Sequence, residues 1–303
     1  MTLLLIGPPE REQAWQPIFE NAGEALIIGE DAVQDPLSIT HLACWQPPAE
    51  LGRYPNLKAV ISTGAGVDQM PLLPPGVALT RTLAPGIDAM VRDWVLMATL
   101  MLHRDMPRYL EQSARSEWRP HPPRLARAGR VGIMGLGRIG RTAAASLSSL
   151  GFDVAGWSRS GRPLENVRVY AHADLSAFLA RTDLLICLLP LTDETRGLLN
   201  ADLFAKLPEG AALIHAGRGA QLDMEAMRHA LDAGHLRAAM LDVTEPEPLP
   251  QSHWAWTDPR VIITPHVAAQ TDATEGAHHA LAAIRATRDG SALPGLVDQG
   301  RGY

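Results

Sequence analysis

Short apolar runs alternate along this chain with longer segments in which apolar residues recur at helical spacing, the pattern of βα units stacked into parallel sheets. The run TLLLI from Thr2 predicts a buried strand, Arg11 to Ala22 a helix, and ALII from Ala25 a second strand. KAVIS from Lys58 predicts a further strand that runs into STGAGVD, Ser62 to Asp68, and completes one small α/β unit. From Asp88 to about His103, the apolar residues Val91, Val95, Met97, Ala98, Met101 and Leu102 predict a mostly buried helix in which one domain gives way to the next. WRPHPPR, Trp118 to Arg124, is too rich in proline for regular structure and reads as a surface loop or arm.

A second, longer α/β series starts at RVGIMG, Arg130 to Gly135. Strands are expected at Asp153 to Trp157, Leu184 to Leu189, Ala211 to His215, Ala238 to Asp242 and Val261 to Ile263, with helical patterns between them. The alanine-rich segment Ala273 to Asp289 predicts a helix that most simply returns to pack on the first unit. No internal repeat or low-complexity tract stands out.

Composition narrows the function classes. A chain of 303 residues with 46% hydrophobic content has room for two domains of roughly 100 to 200 residues each. The net charge of −6, from 27 basic and 33 acidic residues with no block of one sign, argues against a nucleic-acid surface or a polybasic membrane patch. Small molecules are the expected partners. Cys44 and Cys187 lie far apart in apolar runs and fit buried thiols in a reducing compartment. The run before Gly7 is far shorter than a signal segment or a span of ~20 residues, so the expected location is cytoplasmic.

The strand ending at Met134 leads into GLGRIG, Gly135 to Gly140, and then into a segment rich in Ala and Ser, the strand-turn-helix context in which a G-x-G-x-x-G stretch binds a dinucleotide. Gly135 permits the tight turn, Gly137 lets the backbone approach a pyrophosphate, and Gly140 lets helix and strand pack closely. Arg138 and Ile139, between the last two glycines, are cofactor-binding candidates with them. The bland alternative is a tight βα turn that binds nothing.

About 20 residues further on, an NAD site usually places an acidic residue that accepts hydrogen bonds from ribose hydroxyls and repels a 2′-phosphate. This chain has Ser158 and Arg159 there, with Arg162 close by. Ser158 removes the repulsion, and an arginine fork suits a phosphate, so NADPH is the expected cofactor with NADH possible. The alternative is that both arginines are solvated surface charges.

Three further stretches each follow an expected strand: HAGRGA from His215, LDVTEPEPLP from Leu241 and ITPHVAA from Ile263. Arg218, Glu247 and His266 would therefore lie at the carboxyl ends of strands, where open α/β sheets bind ligands. Taken one at a time, they read equally as a surface charge, a solvated turn residue and a strand-end histidine. Asp223 and His229 read as helix-surface residues.

With these stretches in this order, the sequence resembles the D-isomer-specific 2-hydroxyacid dehydrogenases, within them the glyoxylate/hydroxypyruvate reductase A type. The likeness extends from LKAVISTGAGVD at Leu57 through the glycine loop, LLPLTDETRGLLN at Leu188, the three stretches above and VDQGRGY from Val297 to Tyr303. It implies two Rossmann-like α/β domains with parallel sheets, hinged around a central cleft. The substrate-binding domain would comprise residues 1–94 and 268–303, and the dinucleotide-binding domain residues 95–267.

The resemblance further implies that Arg218 binds the 2-oxoacid carboxylate and polarises its carbonyl, that His266 protonates the carbonyl oxygen as hydride arrives, and that Glu247 hydrogen-bonds the imidazole. Ala65 and Gly66 would offer backbone N–H groups to the substrate carboxylate. Asp242 would meet the nicotinamide carboxamide, while Leu188, Pro190 and Thr192 would line the loop beside its ribose and adenine. The subfamily places a Trp near the pocket, for which Trp45 is the candidate, and an arm carrying Trp118 would reach across a homodimer interface. Packing is the alternative for both.

Three departures stand out. His215 replaces the family's usual Asn and introduces a second titratable group near Arg218, which would complicate the pH profile. Thr244 stands where a Phe is usual, and Trp254 becomes a candidate for reshaping one pocket wall. The expected activity is NADPH-dependent reduction of small 2-oxoacids, glyoxylate and hydroxypyruvate first. A bulkier 2-oxoacid substrate and a non-catalytic dinucleotide-sensing protein are the rivals. No metal is implied, because the histidines match no zinc spacing.

Overall fold

The computed structural model describes residues 1–300; Arg301, Gly302 and Tyr303, the end of the last stretch that carries the family likeness, lie outside the described residues. Two compact units result, one of Met1–Ile87 with the described residues from Gln270 onward, the other of Asp88–Ala269.

In the first unit, β1 (Thr2–Ile6), β2 (Ala25–Ile28), β3 (Ile39–Cys44), β4 (Ala59–Ser62) and β5 (Ala78–Arg81) form a parallel sheet in the order β2-β1-β3-β4-β5. Helix α1 (Pro9–Ala22) and the C-terminal helix α8 (Ala273–Asp289) pack together on it. Trp15, Phe19, Ala277, Ala280 and Ile284 bury against Leu3, Leu5 and Ile61. The return of the last helix to the first unit is as the sequence predicts. Strands β3 and β5 are additions: both are short and buried and show no alternation to read.

Helix α2 (Pro85–His103) carries the chain into the second unit. Ile87, Val91, Trp94, Val95, Ala98 and Leu102 are buried along one side, but Met90, Met97 and Leu100 are 36 to 42% exposed, so the expected mostly buried helix has an apolar outward stripe. Helix α3 (Met106–Ala114) follows, and then the proline-rich segment as an irregular arm. The arm is fastened to α3: the His121 N–H donates to the Tyr109 hydroxyl at 3.0 Å, and Gln112 Nε2 donates to the Arg119 carbonyl at 3.2 Å.

The second unit holds β6 (Arg130–Met134), α4 (Arg138–Ser149), β7 (Asp153–Trp157), β8 (Arg168–Tyr170), α5 (Leu175–Ala180), β9 (Leu184–Cys187), α6 (Ala201–Phe204), β10 (Ala211–His215), α7 (Met224–Asp232), β11 (Leu236–Leu241) and β12 (Val261–Ile263). Its seven strands are parallel in the order β12-β11-β10-β9-β6-β7-β8, the doubly wound Rossmann order, with the strand sequence reversing between β6 and β9. The runs are almost wholly buried and rich in Val, Ile, Leu and Ala, as a sheet covered on both faces requires. Both units are thus parallel-sheet α/β folds, as expected.

Register decides where chemistry can sit. Trp157 pairs with Met134, Met134 with Cys187, Cys187 with His215, His215 with Leu241, and Leu241 with Ile263. This row ends six strands together, so the chain leaves the sheet at Ser158, Gly135, Leu188, Ala216, Asp242 and Thr264 along a single edge. In the first unit Cys44 pairs with Ser62, so Trp45 and the loop from Thr63 leave that sheet side by side.

Candidate active site

The glycine turn fits a dinucleotide for three separate reasons. Gly135 has φ +102°, open only to glycine at little cost. A Cβ on Gly140 would lie 1.9 Å from the Gly135 carbonyl oxygen, so only glycine lets α4 start against β6. A Cβ on Gly137 would meet nothing within 4 Å, which leaves open space at the N-terminus of α4, where free N–H groups and the positive dipole end attract phosphate. Leu136 covers Gly156 of β7, a site with no room for a Cβ.

Ser158 follows β7, its N–H bonded to the Tyr170 carbonyl at 3.1 Å. Arg159 and Arg162 are exposed beyond it, and Arg159 Nη2 lies 3.5 Å from Oε2 of Glu194, a residue of the loop after β9 whose part in this pair sequence reasoning missed. Leu188, Pro190 and Thr192 belong to that loop. Thr195 shapes it by donating to the Pro190 carbonyl at 2.7 Å while accepting the Thr192 N–H at 2.8 Å.

His266 and Glu247 meet as predicted: Nδ1 and Oε2 are 2.9 Å apart, with both side chains partly open to solvent. The other carboxylate oxygen of Glu247 accepts the Thr244 N–H at 3.1 Å, and the Thr244 hydroxyl donates to the Pro246 carbonyl at 2.9 Å. Thr244 therefore braces the glutamate.

Asp242, 2% exposed, builds the loop that presents the histidine. Its carboxylate accepts Thr264 Oγ1 at 2.6 Å, the Val267 N–H at 2.9 Å and the Ala268 N–H at 2.8 Å, and its carbonyl accepts the His266 N–H at 2.8 Å. These bonds hold His266 at φ +52°, a left-handed conformation that a bulky residue keeps only when its surroundings fix it. The family likeness assigns Asp242 to the cofactor's carboxamide; its bonds within the protein place the histidine.

Arg218 follows β10, with Nη1 donating to the Gly217 carbonyl at 2.8 Å. Its main chain is clamped by two fully buried side chains. Gln221 Oε1 accepts the Arg218 N–H at 2.8 Å, and His215 Nε2 lies 2.9 Å from the Arg218 carbonyl. Gln221 is invisible to sequence reasoning because a lone glutamine after a glycine turn carries no pattern. Burial pushes the His215 imidazole down to about 4. That corrects the expectation of a second titrating group: at neutral pH His215 is an uncharged strut.

In the first unit, the Ser62 hydroxyl donates to the Gly66 carbonyl at 2.8 Å and closes the Ser62–Asp68 loop. Among the described residues, the Ala65 and Gly66 N–H groups have no partner, which suits donors to an anion. The Trp45 ring presses on this loop, since a Cβ on Gly64 would lie 2.6 Å from it. Trp118, by contrast, is 99% exposed on the arm.

Comparison with known proteins decides the family. Residues 96–268 match the model of the D-isomer specific 2-hydroxyacid dehydrogenase NAD binding domain. A curated relative from Serratia proteamaculans, named glyoxylate/hydroxypyruvate reductase A, is 38% identical across 98% of this chain and 93% of its own. The chain belongs to the D-isomer specific 2-hydroxyacid dehydrogenases.

Solved 2-hydroxyacid dehydrogenase structures agree across the whole chain. One from Xanthobacter autotrophicus Py2, in complex with NADPH and MES, matches with TM-score 0.94 and 37% identity, covering 100% of this chain and 99% of that one. The NADPH-dependent glyoxylate/hydroxypyruvate reductase of Sinorhizobium meliloti, in complex with NADP and sulfate, matches with TM-score 0.93 and 37% identity over 100% of both.

Within this dehydrogenase, Trp254 takes a different place from the one expected. Its indole N–H donates to Glu225 at 3.2 Å, the Arg228 guanidinium lies 5.5 Å from its ring centroid, and it packs on the sheet core. Trp254 thus anchors α7, and its role is packing rather than a pocket wall. Among the described residues, no group of three or more His, Cys, Asp or Glu could hold a metal ion, and no helix is long and apolar enough to cross a membrane.

Proposed function

We propose that this dehydrogenase reduces small 2-oxoacids, glyoxylate and hydroxypyruvate foremost, to 2-hydroxyacids with NADPH. The single observation that carries the reading is the His266–Glu247 pair at 2.9 Å, set at the edge of the same sheet as the glycine turn and Arg218. Gly135, Gly137, Arg138, Ile139 and Gly140 would hold the pyrophosphate. Leu188, Pro190 and Thr192 would flank the ribose and adenine, and Asp242 would add its carboxamide contact to its structural one. When bound, the dihydronicotinamide supplies hydride to the carbonyl carbon.

The protein's own residues do the rest. Arg218, its backbone clamped at both ends, binds the acid's carboxylate and draws electron density from the carbonyl. The family likeness assigns the Ala65 and Gly66 N–H groups to the substrate carboxylate and Trp45 to the wall of the pocket. His266 gives its proton to the carbonyl oxygen, and Glu247 holds the ring by Nδ1 so that Nε2 carries the transferable proton. A dinucleotide sensor would need no such donor.

Preference for NADPH follows from Ser158, which imposes no repulsion, and from Arg159 and Arg162, which offer donors to a 2′-phosphate. The NADPH-bound and NADP-bound structures support this choice. We also propose a homodimer through the outward stripe of Met90, Met97 and Leu100 and the Trp118 arm, whose apolar side chains are exposed.

Initial rates with glyoxylate and hydroxypyruvate, using NADPH and NADH in parallel, test the reading. A clearly higher kcat/KM with NADPH is expected; no turnover of either acid with either cofactor would reject it.

A further inference from the structure

Arg138 occupies the first position of α4, where a cation meets the positive end of the helix dipole and is disfavoured unless an anion answers it. The anion in the protein is Asp88, in the first turn of α2, whose Oδ2 accepts a hydrogen bond from Arg138 Nη1. The partners differ in exposure: the Asp88 side chain is 18% exposed and that of Arg138 is 42% exposed. Asp88 Oδ1 is buried with no hydrogen-bond partner among the described residues. Such a carboxylate depends on its arginine, because removing the guanidinium would strand a poorly solvated charge. The remaining N–H groups of Arg138 make no hydrogen bond among the described residues, so one edge of the fork is fixed and the rest is available.

We propose that Asp88 is a positioning residue that holds the Arg138 guanidinium for the pyrophosphate of the dinucleotide. The inference rests on the cofactor reading above and adds a residue from outside the glycine turn. A preformed fork binds phosphate at lower entropic cost than a free arginine. Since the pyrophosphate is common to both dinucleotides, Asp88 controls affinity for NADPH and NADH equally and leaves the choice between them to Arg159.

The test is fluorescence titration of NADPH and of NADH into wild type, Asp88→Asn, Arg138→Ala and the double variant, with saturating kcat on the same preparations. Asp88→Asn and Arg138→Ala should each weaken both dinucleotides by a similar factor, about fivefold, as expected when a charge-assisted hydrogen bond to phosphate is removed or misaligned. The double variant should be no weaker than Arg138→Ala alone, the saturating kcat of Asp88→Asn should stay within about twofold of wild type, and Asp88→Glu should recover part of the affinity.

Wild-type or tighter binding by Asp88→Asn would overturn the proposal, as would effects that multiply in the double variant. If Asp88→Asn fails to fold, Arg138→Lys decides, because it keeps the charge and removes the fork. Weaker binding of both dinucleotides supports the proposal and unchanged binding overturns it. A wild-type protein that bound neither dinucleotide would instead reject the reductase reading itself.

Discussion

Gln221 accepts the backbone N–H of Arg218 through Oε1 at 2.8 Å, and through Nε2 it donates to the Leu189 and Pro190 carbonyls at 3.2 and 2.9 Å. One fully buried amide therefore ties the substrate arginine to the loop assigned to the cofactor. Gln221→Leu keeps the bulk but removes the partner of three part-buried backbone groups, so stability should fall by about 1 kcal/mol in urea denaturation. KM for glyoxylate should rise with it. Unchanged stability and unchanged KM would mean that the amide does not set the turn.

The glycine turn allows two substitutions with opposite signatures. Gly137→Ala adds a methyl to open space, so the melting temperature should hold while dinucleotide affinity falls, about tenfold or more if the backbone meets the pyrophosphate closely. Gly140→Ala drives a methyl into the Gly135 carbonyl and should lower the melting temperature itself. Normal cofactor affinity in Gly137→Ala would contradict the cradle.

Burial lowers both His215 and His41 from 6.5 to about 4, and this contributes to the loss of stability in acid. Well above pH 6.5 both are neutral, folded or unfolded, and contribute no pH dependence. Between pH 6.5 and about 4 the unfolded chain binds protons that the folded chain refuses, so stability is lost as pH falls through this window, on the order of 3 kcal/mol per histidine at its acid end. Urea melts at pH 7.5 and 5 should show His215→Asn losing less than wild type. In kinetics, His215→Asn should leave the shape of the neutral-pH profile intact; an ionisation that vanishes with His215 would show the buried ring titrating.

Arg159→Ala should raise KM for NADPH about tenfold, with little change for NADH, because only NADPH offers the 2′-phosphate that a guanidinium binds strongly. Glu194, 3.5 Å from Arg159, competes for the same group, so Glu194→Gln should shift NADPH affinity in the other direction. Equal changes for both cofactors on removing Arg159 would leave the arginine without a role in selectivity.

Much of the second unit was legible because its strands are runs of buried aliphatic residues that each end in a marked turn, as at Gly135, Arg218 and His266. The three residues expected to act together do emerge from one row of strand ends, and two of them touch. The strand Arg168–Tyr170 was not legible, being three partly exposed residues at a sheet edge. Nor were the supports Gln221 and Thr244, or Glu194 as the partner of Arg159, because they act through contacts in three dimensions that single residues without spacing do not reveal. Trp254 misled because an aromatic beside an active-site motif has the same local sequence whether it lines a pocket or packs on a helix.

The most direct test of the account is kcat for glyoxylate reduction by His266→Ala, measured with NADPH affinity on the same protein. As proton donor, His266 should contribute about 10²–10⁴-fold, so kcat should drop by that factor while NADPH binds as in wild type. A variant that bound NADPH and kept near-normal kcat across neutral pH would contradict the assignment of His266 as the acid.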